Sequence, residues 1–183
     1  MKRSILSFLL ALFCCSLLRA QTVPADILQK AVSVNDWFMR LWPDPAKDTY
    51  VRNKVRPSSL WTRAVYYEGL MALHALQPQS RYFDYTLRWC RAHRWTPRNG
   101  VTTHDADDYC CAQTYIDMLR LGAEGATLQY VRECMDNTLA RGRESDADWW
   151  WIDAIQMGMP VLQKLARETG DARYAEKAGS MYA

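Results

Sequence analysis

The strongest constraint on the fold of this chain is a rhythm of helical segments, each closed by a proline or a glycine. In DILQKAVSVNDWFMRLW, beginning at Asp26, Ile27, Ala31, Val34, Phe38 and Leu41 fall on one face, and Pro43 and Pro45 stop the run. Residues 44 to 57 form a polar loop bounded by prolines. A second helix, SSLWTRAVYYEGLMALHAL, takes Ser58 or Ser59 as its N-cap and ends before Pro78. The third, SRYFDYTLRWCRAHRW, runs to Pro97, and the loop TPRNGVTTHDA leads into a fourth, DDYCCAQTYIDMLRLG, stopped by Gly122. ATLQYVRECMDNTLARG stops at Gly142, a tryptophan-rich sixth helix stops at Gly170, and a seventh begins at Asp171. No segment alternates like a strand flanked by turns, so the class is all-α. Alternate helices begin near Ser59, Asp107 and Trp149, roughly 40 to 50 residues apart, the length of a helical hairpin repeat. Such hairpins stack into a bundle, a solenoid or a closed toroid. Six complete helices make three hairpins, and the chain stops as a fourth would start.

Composition narrows the function classes. Of 183 residues, 49% are hydrophobic and 23% charged, a balance that supports a sizeable core. The net charge of +3 comes from scattered residues, which argues against nucleic acid as a partner. Residues 1–20 have the form of a secretory signal: Lys2 and Arg3, then the apolar ILSFLLALFCCSLL, then Leu18-Arg19-Ala20. The apolar run is short for a membrane span, which needs about 20 residues, so an exported protein cleaved near Ala20 is expected, periplasmic or secreted. The remaining cysteines, Cys90, Cys110, Cys111 and Cys134, could form two disulfides, but they lie inside helical patterns and suit buried thiols equally well. With no CxxC pair and no clustered His, no metal site is expected.

Polar and aromatic groups gather at the start of every second helix: TRAVYYEG (62–69), THDADDYCCAQ (103–113) and DADWWWIDA (146–154). In stacked hairpins these starts share one end, so Asp107 and Asp153 can face one another across a common mouth. A helix N-terminus also favours a bound carboxylate. The sixth helix is expected to carry Trp149, Trp150 and Trp151 in its first turn, with Asp153 just behind them, where charge is expensive unless a site wants it. Each residue has a plainer alternative. Asp107 or Asp108 suits an N-cap, His104 an exposed loop, Arg63 and Glu68 an internal ion pair, and Trp61, Tyr66 and Tyr67 the core.

Taken together and in order, WTRAVYYEGLMAL, HDADDYCCAQTYIDM and DWWWIDAIQMGMPVLQKLARETGD resemble glycoside hydrolase family 105, the unsaturated rhamnogalacturonyl hydrolases, which are related to the unsaturated glucuronyl hydrolases of family 88. The resemblance runs through nearly all of residues 21–183. It implies an (α/α)6 barrel, of which three hairpins and the start of a fourth make about half, so residues 21–183 are expected to be the N-terminal part of such a domain. It further implies hydrolysis of Δ4,5-unsaturated uronyl oligosaccharides left by polysaccharide lyases on pectic rhamnogalacturonan. In that chemistry C4 is protonated and water adds at C5, so the anomeric attack of ordinary glycosidases is not used. By the same resemblance the catalytic residues are Asp153, as the acid, and Asp107, with Asp108 as the alternative second carboxylate. Substrate-binding positions are Asp108, Tyr67, Trp151, His104 and Trp149. No cofactor is implied. Burial against Trp149 and Trp151 is expected to keep Asp153 protonated. The competing expectations are a non-catalytic helical-repeat protein that binds glycan or protein, and a different (α/α)6 carbohydrate enzyme.

Overall fold

The computed structural model describes residues 23–182; the signal-like residues 1–20 lie outside the described residues. The chain divides into two units at Trp37. Helix α1 (Ala25–Leu41) begins in the first, where Lys30 pairs with Asp26 one turn away at 3.5 Å, and ends in the second.

The second unit is two layers of helices. After α1 come a short hairpin, β1 (Thr49–Val51) and β2 (Lys54–Arg56), then α2 (Trp61–Leu76), α3 (Ser80–Ala92), α4 (Ala106–Tyr109), α5 (Ala112–Arg120) and α6 (Gln129–Ala140). A 3-10 turn over Gly142–Asp148 precedes α7 (Ala154–Thr169) and α8 (Ala172–Tyr182). Helices α2, α5 and α7 stand side by side as one layer, and α3, α6 and α8 back them as the other. The layer of α2, α5 and α7 runs parallel. Gln113 at the start of α5 bonds to the first turn of α7, and Asp117 further along α5 meets Lys164 further along α7, at 2.6 Å.

Between the layers lies an aromatic core. Trp89 is fully buried, stacks on Tyr67 with ring centroids 4.0 Å apart, and donates from Nε1 to Ser58 O at 3.0 Å. Tyr82, Tyr85, Tyr109 and Tyr115 fill the rest with Ile116, Met118, Leu162 and Leu165. Cys90, Cys110, Cys111 and Cys134 are buried free thiols.

The structure departs from the sequence expectation at the ends of elements. The polar loop contains the hairpin, which turns through Arg52 and Asn53 in the left-handed region, φ 50° and 62°. Three-residue strands are too short to leave an alternating pattern. Ser58 and Ser59 do not cap α2, whose N-cap position is Leu60. Ser58 closes the loop instead, donating from Oγ to Ala46 O at 3.0 Å and lying 2.6 Å from His93 Nε2. The expected fourth helix breaks at Cys110–Cys111 into α4 and α5. The sixth starts later than expected, at Ala154, so the three tryptophans precede the helix.

Two features mark the first turns of α7. The indole of Trp149 lies across α7: a Cβ placed on Gly158 would collide with its Cζ2 atom. Pro160 within α7 has no N–H to offer the carbonyl of Gln156, four residues back. The buried side chain of Gln113 supplies the missing donor, Nε2 to Gln156 O at 2.9 Å, and also reaches Met157 O at 3.3 Å. At its far end α7 stops at Gly170, left-handed at φ 73°, whose N–H bonds to Ala166 O.

Glycine to alanine inside a helix ordinarily stabilises by about 1 kcal/mol. At Gly158 the sign should reverse, because the new methyl must displace the Trp149 ring; a loss of about 1–3 kcal/mol is expected. Urea unfolding followed by tryptophan fluorescence measures it.

Candidate active site

The polar groups sit where the parallel helices α4–α5 and α7 begin. Asp105 is the N-cap of α4, its carboxylate accepting from the Asp107 N–H at 2.9 Å, so neither Asp107 nor Asp108 is spent on capping. Asp107 is half-buried and its carboxyl is held above the usual aspartate range. Burial is the main cause, joined by the charges of Asp105, Asp108 and Asp153, while Arg98 opposes. Asp153 is thus among the charges that raise Asp107, and the Trp149 Nε1–Tyr109 Oη bond at 2.6 Å ties α4 to the start of α7, so the two acids belong to segments at the same end of the layer. Asp153 occupies the N-cap position of α7 without using its side chain as a cap, and it is exposed.

Several expected site residues are placed differently. Trp149 and Trp151 do not shield Asp153. Trp149 is turned inward onto Gly158, its Nε1 donating to Tyr109 Oη at 2.6 Å. Trp151 is half-buried and meets Trp150 edge-on at 5.2 Å. The open indole is Trp150, 84% exposed, with Ile152 beside it. Asp108 is 3% exposed, paired with Arg98, and accepts from Asn99 Nδ2 at 3.0 Å and Thr103 Oγ1 at 2.5 Å. It locks the 98–103 loop beneath the rim and presents no free oxygen to a ligand. Tyr67 is fully buried in the aromatic core, its hydroxyl donating to Pro45 O at 3.2 Å, so it lines no opening here. His104 is exposed next to Asp105.

Glu68 takes a place that its sequence position does not announce. It is not paired with Arg63, whose guanidinium lies over the rings of Phe38 and Trp42, 5.2 and 4.7 Å from their centroids. Glu68 instead joins three helices. Its Oε1 accepts from Cys110 Sγ at 3.2 Å and its Oε2 from Gln156 Nε2 at 2.7 Å. Burial raises its carboxyl, while Cys110, Gln156 and Lys164 pull it back. The one hint is a lone carboxylate one turn after Ala64 and one turn before Met71 and Ala72, on a stripe otherwise apolar. Beyond it a cleft of about 520 Å³ runs along α2, α5 and α7, lined by Met71, Ala72, Ala75, Asp117, Arg120 and Lys164.

Comparison with known proteins gives this arrangement a context. Residues 30–183 match Glycosyl Hydrolase Family 88. An unsaturated 3S-rhamnoglycuronyl hydrolase of Formosa agariphila is 24% identical over 135 residues, 67% of this chain and 35% of that protein. A solved Glycosyl hydrolase family 88 structure from Bacteroides vulgatus superposes with a TM-score of 0.70 at 25% identity, over 87% of this chain and 47% of its own. A solved polysaccharide lyase superposes with a TM-score of 0.69 at 23% identity, over 86% and 45%, a likeness of fold alone. The chain thus spans less than half the length of each of these relatives. Its fold is the helical architecture of about half of an (α/α)6 barrel.

The crowding of Asp107 has a measurable cost. A carboxyl whose folded pKa is raised destabilises the native state above that pKa, and contributes nothing below the unfolded value of about 3.9. Asp107→Asn is therefore expected to raise Tm at neutral pH, with the gain shrinking to nothing as pH falls through the ordinary aspartate range. Thermal melts across pH read this directly; a neutral-pH Tm at or below the wild-type value would contradict it.

Proposed function

The chain belongs to Glycosyl Hydrolase Family 88, and we propose that it hydrolyses Δ4,5-unsaturated uronyl oligosaccharides of the rhamnogalacturonan type, as in family 105, with Asp153 and Asp107 as its working carboxyls. The observation that supports this is the hydrogen bond from Trp149, just ahead of α7, to Tyr109 of α4, which brings the segments bearing Asp153 and Asp107 to the same end of the layer. The name of the Formosa agariphila relative, unsaturated 3S-rhamnoglycuronyl hydrolase, supports an unsaturated glycuronyl substrate.

The reaction asks for a carboxylic acid able to protonate C4 and for a water directed at C5. Asp153 gives the proton to C4 of the enol ether; water attacks C5 and passes a proton back to the same carboxylate. The hemiketal formed at C5 then opens, and the glycosidic bond is lost with it. Asp153 is exposed in the chain, so the substrate itself must take it out of water. A sugar ring laid on Trp150 and Trp151 would cover the carboxyl from one side, and a desolvated carboxyl beside a second carboxylate favours its protonated form. Asp107, half-buried and already biased toward holding a proton, orients the water or a ring hydroxyl across the mouth. The basic and apolar residues 1–20 support an exported enzyme, which would meet its oligosaccharides in the periplasm or outside the cell.

The unsaturated uronate absorbs in the ultraviolet, and hydration of C4=C5 removes the band. Loss of that band on lyase-generated oligosaccharides is expected, whereas a lyase would create it. Asp153→Asn should abolish turnover, a fall of at least about 10³-fold if the proton donor is lost, while substrate binding measured by calorimetry stays close to wild type. Turnover near the wild-type rate in that variant would remove Asp153 from the mechanism.

A further inference from the structure

Three segments converge on Glu68. It sits in the second turn of α2, and its two oxygens are divided between the other members of the same layer: Oε1 takes the thiol of Cys110, at the α4–α5 break, and Oε2 takes the side-chain amide of Gln156, in the first turn of α7. Cys110 comes three residues after Asp107, and Gln156 three residues after Asp153, so each partner lies about one helical turn beyond one of the two acids. Gln156 is held a second time, through its backbone carbonyl, by Gln113 at 2.9 Å. With its amide fixed by Glu68 and its carbonyl by Gln113, the first turn of α7 has little freedom to rotate.

We propose that Glu68 is a positioning residue that sets the spacing of Asp107 and Asp153 by holding Cys110 and Gln156 at once. Both oxygens are already engaged by side chains of the neighbouring helices, and it is through those helices that Glu68 acts. The alternative of a merely structural contact is weakened by where the bonds go. One carboxylate reaches across two helix boundaries to the turns that follow the two acids, and the first turn of α7 otherwise has weak ends. Its Ile155 N–H reaches Ile152 O only at 3.4 Å, and the Asp153 side chain makes no cap. Removing the carboxylate would also leave the buried thiol of Cys110 without its acceptor.

This inference rests on the proposed hydrolase for its kinetic arm and on the chain alone for the other. In hydrogen exchange on the chain, Glu68→Ala should speed exchange of amides 154–157 by about tenfold or more, while those of α8 keep their rates, since local opening is set by local contacts. In the double-bond assay, kcat should fall roughly 10²-fold with KM within about threefold, as expected when reacting groups shift by about 1 Å. Glu68→Gln keeps an acceptor for Gln156 and should recover most of both effects. If Glu68→Ala does not fold, Gln156→Ala, which leaves the Cys110 contact intact, is expected to give the same exchange signature. Unchanged exchange at 154–157 would overturn the proposal, and so would a Glu68→Gln variant as impaired as Glu68→Ala. The exchange needs no substrate, so absence of hydrolase activity would defeat the functional assignment and leave Glu68 to be decided by exchange.

Discussion

The arrangement of the rim depends on a carbonyl that a proline leaves open. Pro160 deprives Gln156 O of its helical partner, and an unpaired carbonyl inside the protein costs about 1–3 kcal/mol. Gln113, buried and equally in need of a partner, fills the gap. The exchange satisfies two groups that could not be satisfied separately, and it locks α5 to α7 near their N-termini. Once that register is set, Asp107 and Asp153 have little choice but to share an end. The ion pair of Lys164 and Asp117 repeats the tie further down at 2.6 Å. Being partly exposed, it contributes less.

The same register decides which indole does what. With α7 beginning at Ala154, Trp149 falls back onto the helix it precedes, and Gly158 is the gap that admits the ring. Its N–H finds the hydroxyl of Tyr109, the last residue of α4, so the wedge joins the two helix starts that carry the acids. The consequence is that Trp149 cannot shield Asp153. Trp150 and Ile152 are pushed outward instead, and an apolar surface stands next to an exposed carboxylate. Such a surface suits the face of a pyranose, apolar over its C–H bonds and polar at its edge.

Much of this was legible in the sequence, and the failures have physical causes. The hairpin rhythm, the all-α class and the common end for Asp107 and Asp153 follow from apolar spacing and from helix stops at Gly122 and Gly170. Helix starts were read less well, because capping residues compete. Asp105 took the cap that Asp107 or Asp108 could equally have taken, and Ser58 was drawn away from α2 by Ala46 O and His93. The tryptophan block fits a helical period, as bulky apolar residues do wherever they occur; only Gly158, otherwise out of place in α7, hints that something large packs there. Asp108 and Tyr67 fit the resemblance at the level of motif, but Arg98, Asn99 and Thr103 enclose the first and Trp89 and Tyr85 the second. These are partners distant enough in sequence that no local pattern announces them.

Two carboxyls near this rim are raised by burial, and they are raised in ways that suit different tasks. Glu68 has both oxygens occupied by donors that pull its pKa back down, so burial and hydrogen bonding oppose each other and the group stays in place as an acceptor. Asp107 is surrounded mainly by other acids, which push in the same direction as its burial, with Arg98 the opposing charge. These acidic neighbours, Asp153 among them, keep the carboxyl of Asp107 above the usual aspartate range. Strong hydrogen bonds at Asp107 would have cancelled the effect. The acceptor duties of the neighbourhood instead fall to Asp105, Asp108 and Glu68, which leaves one crowded carboxyl half open at the mouth.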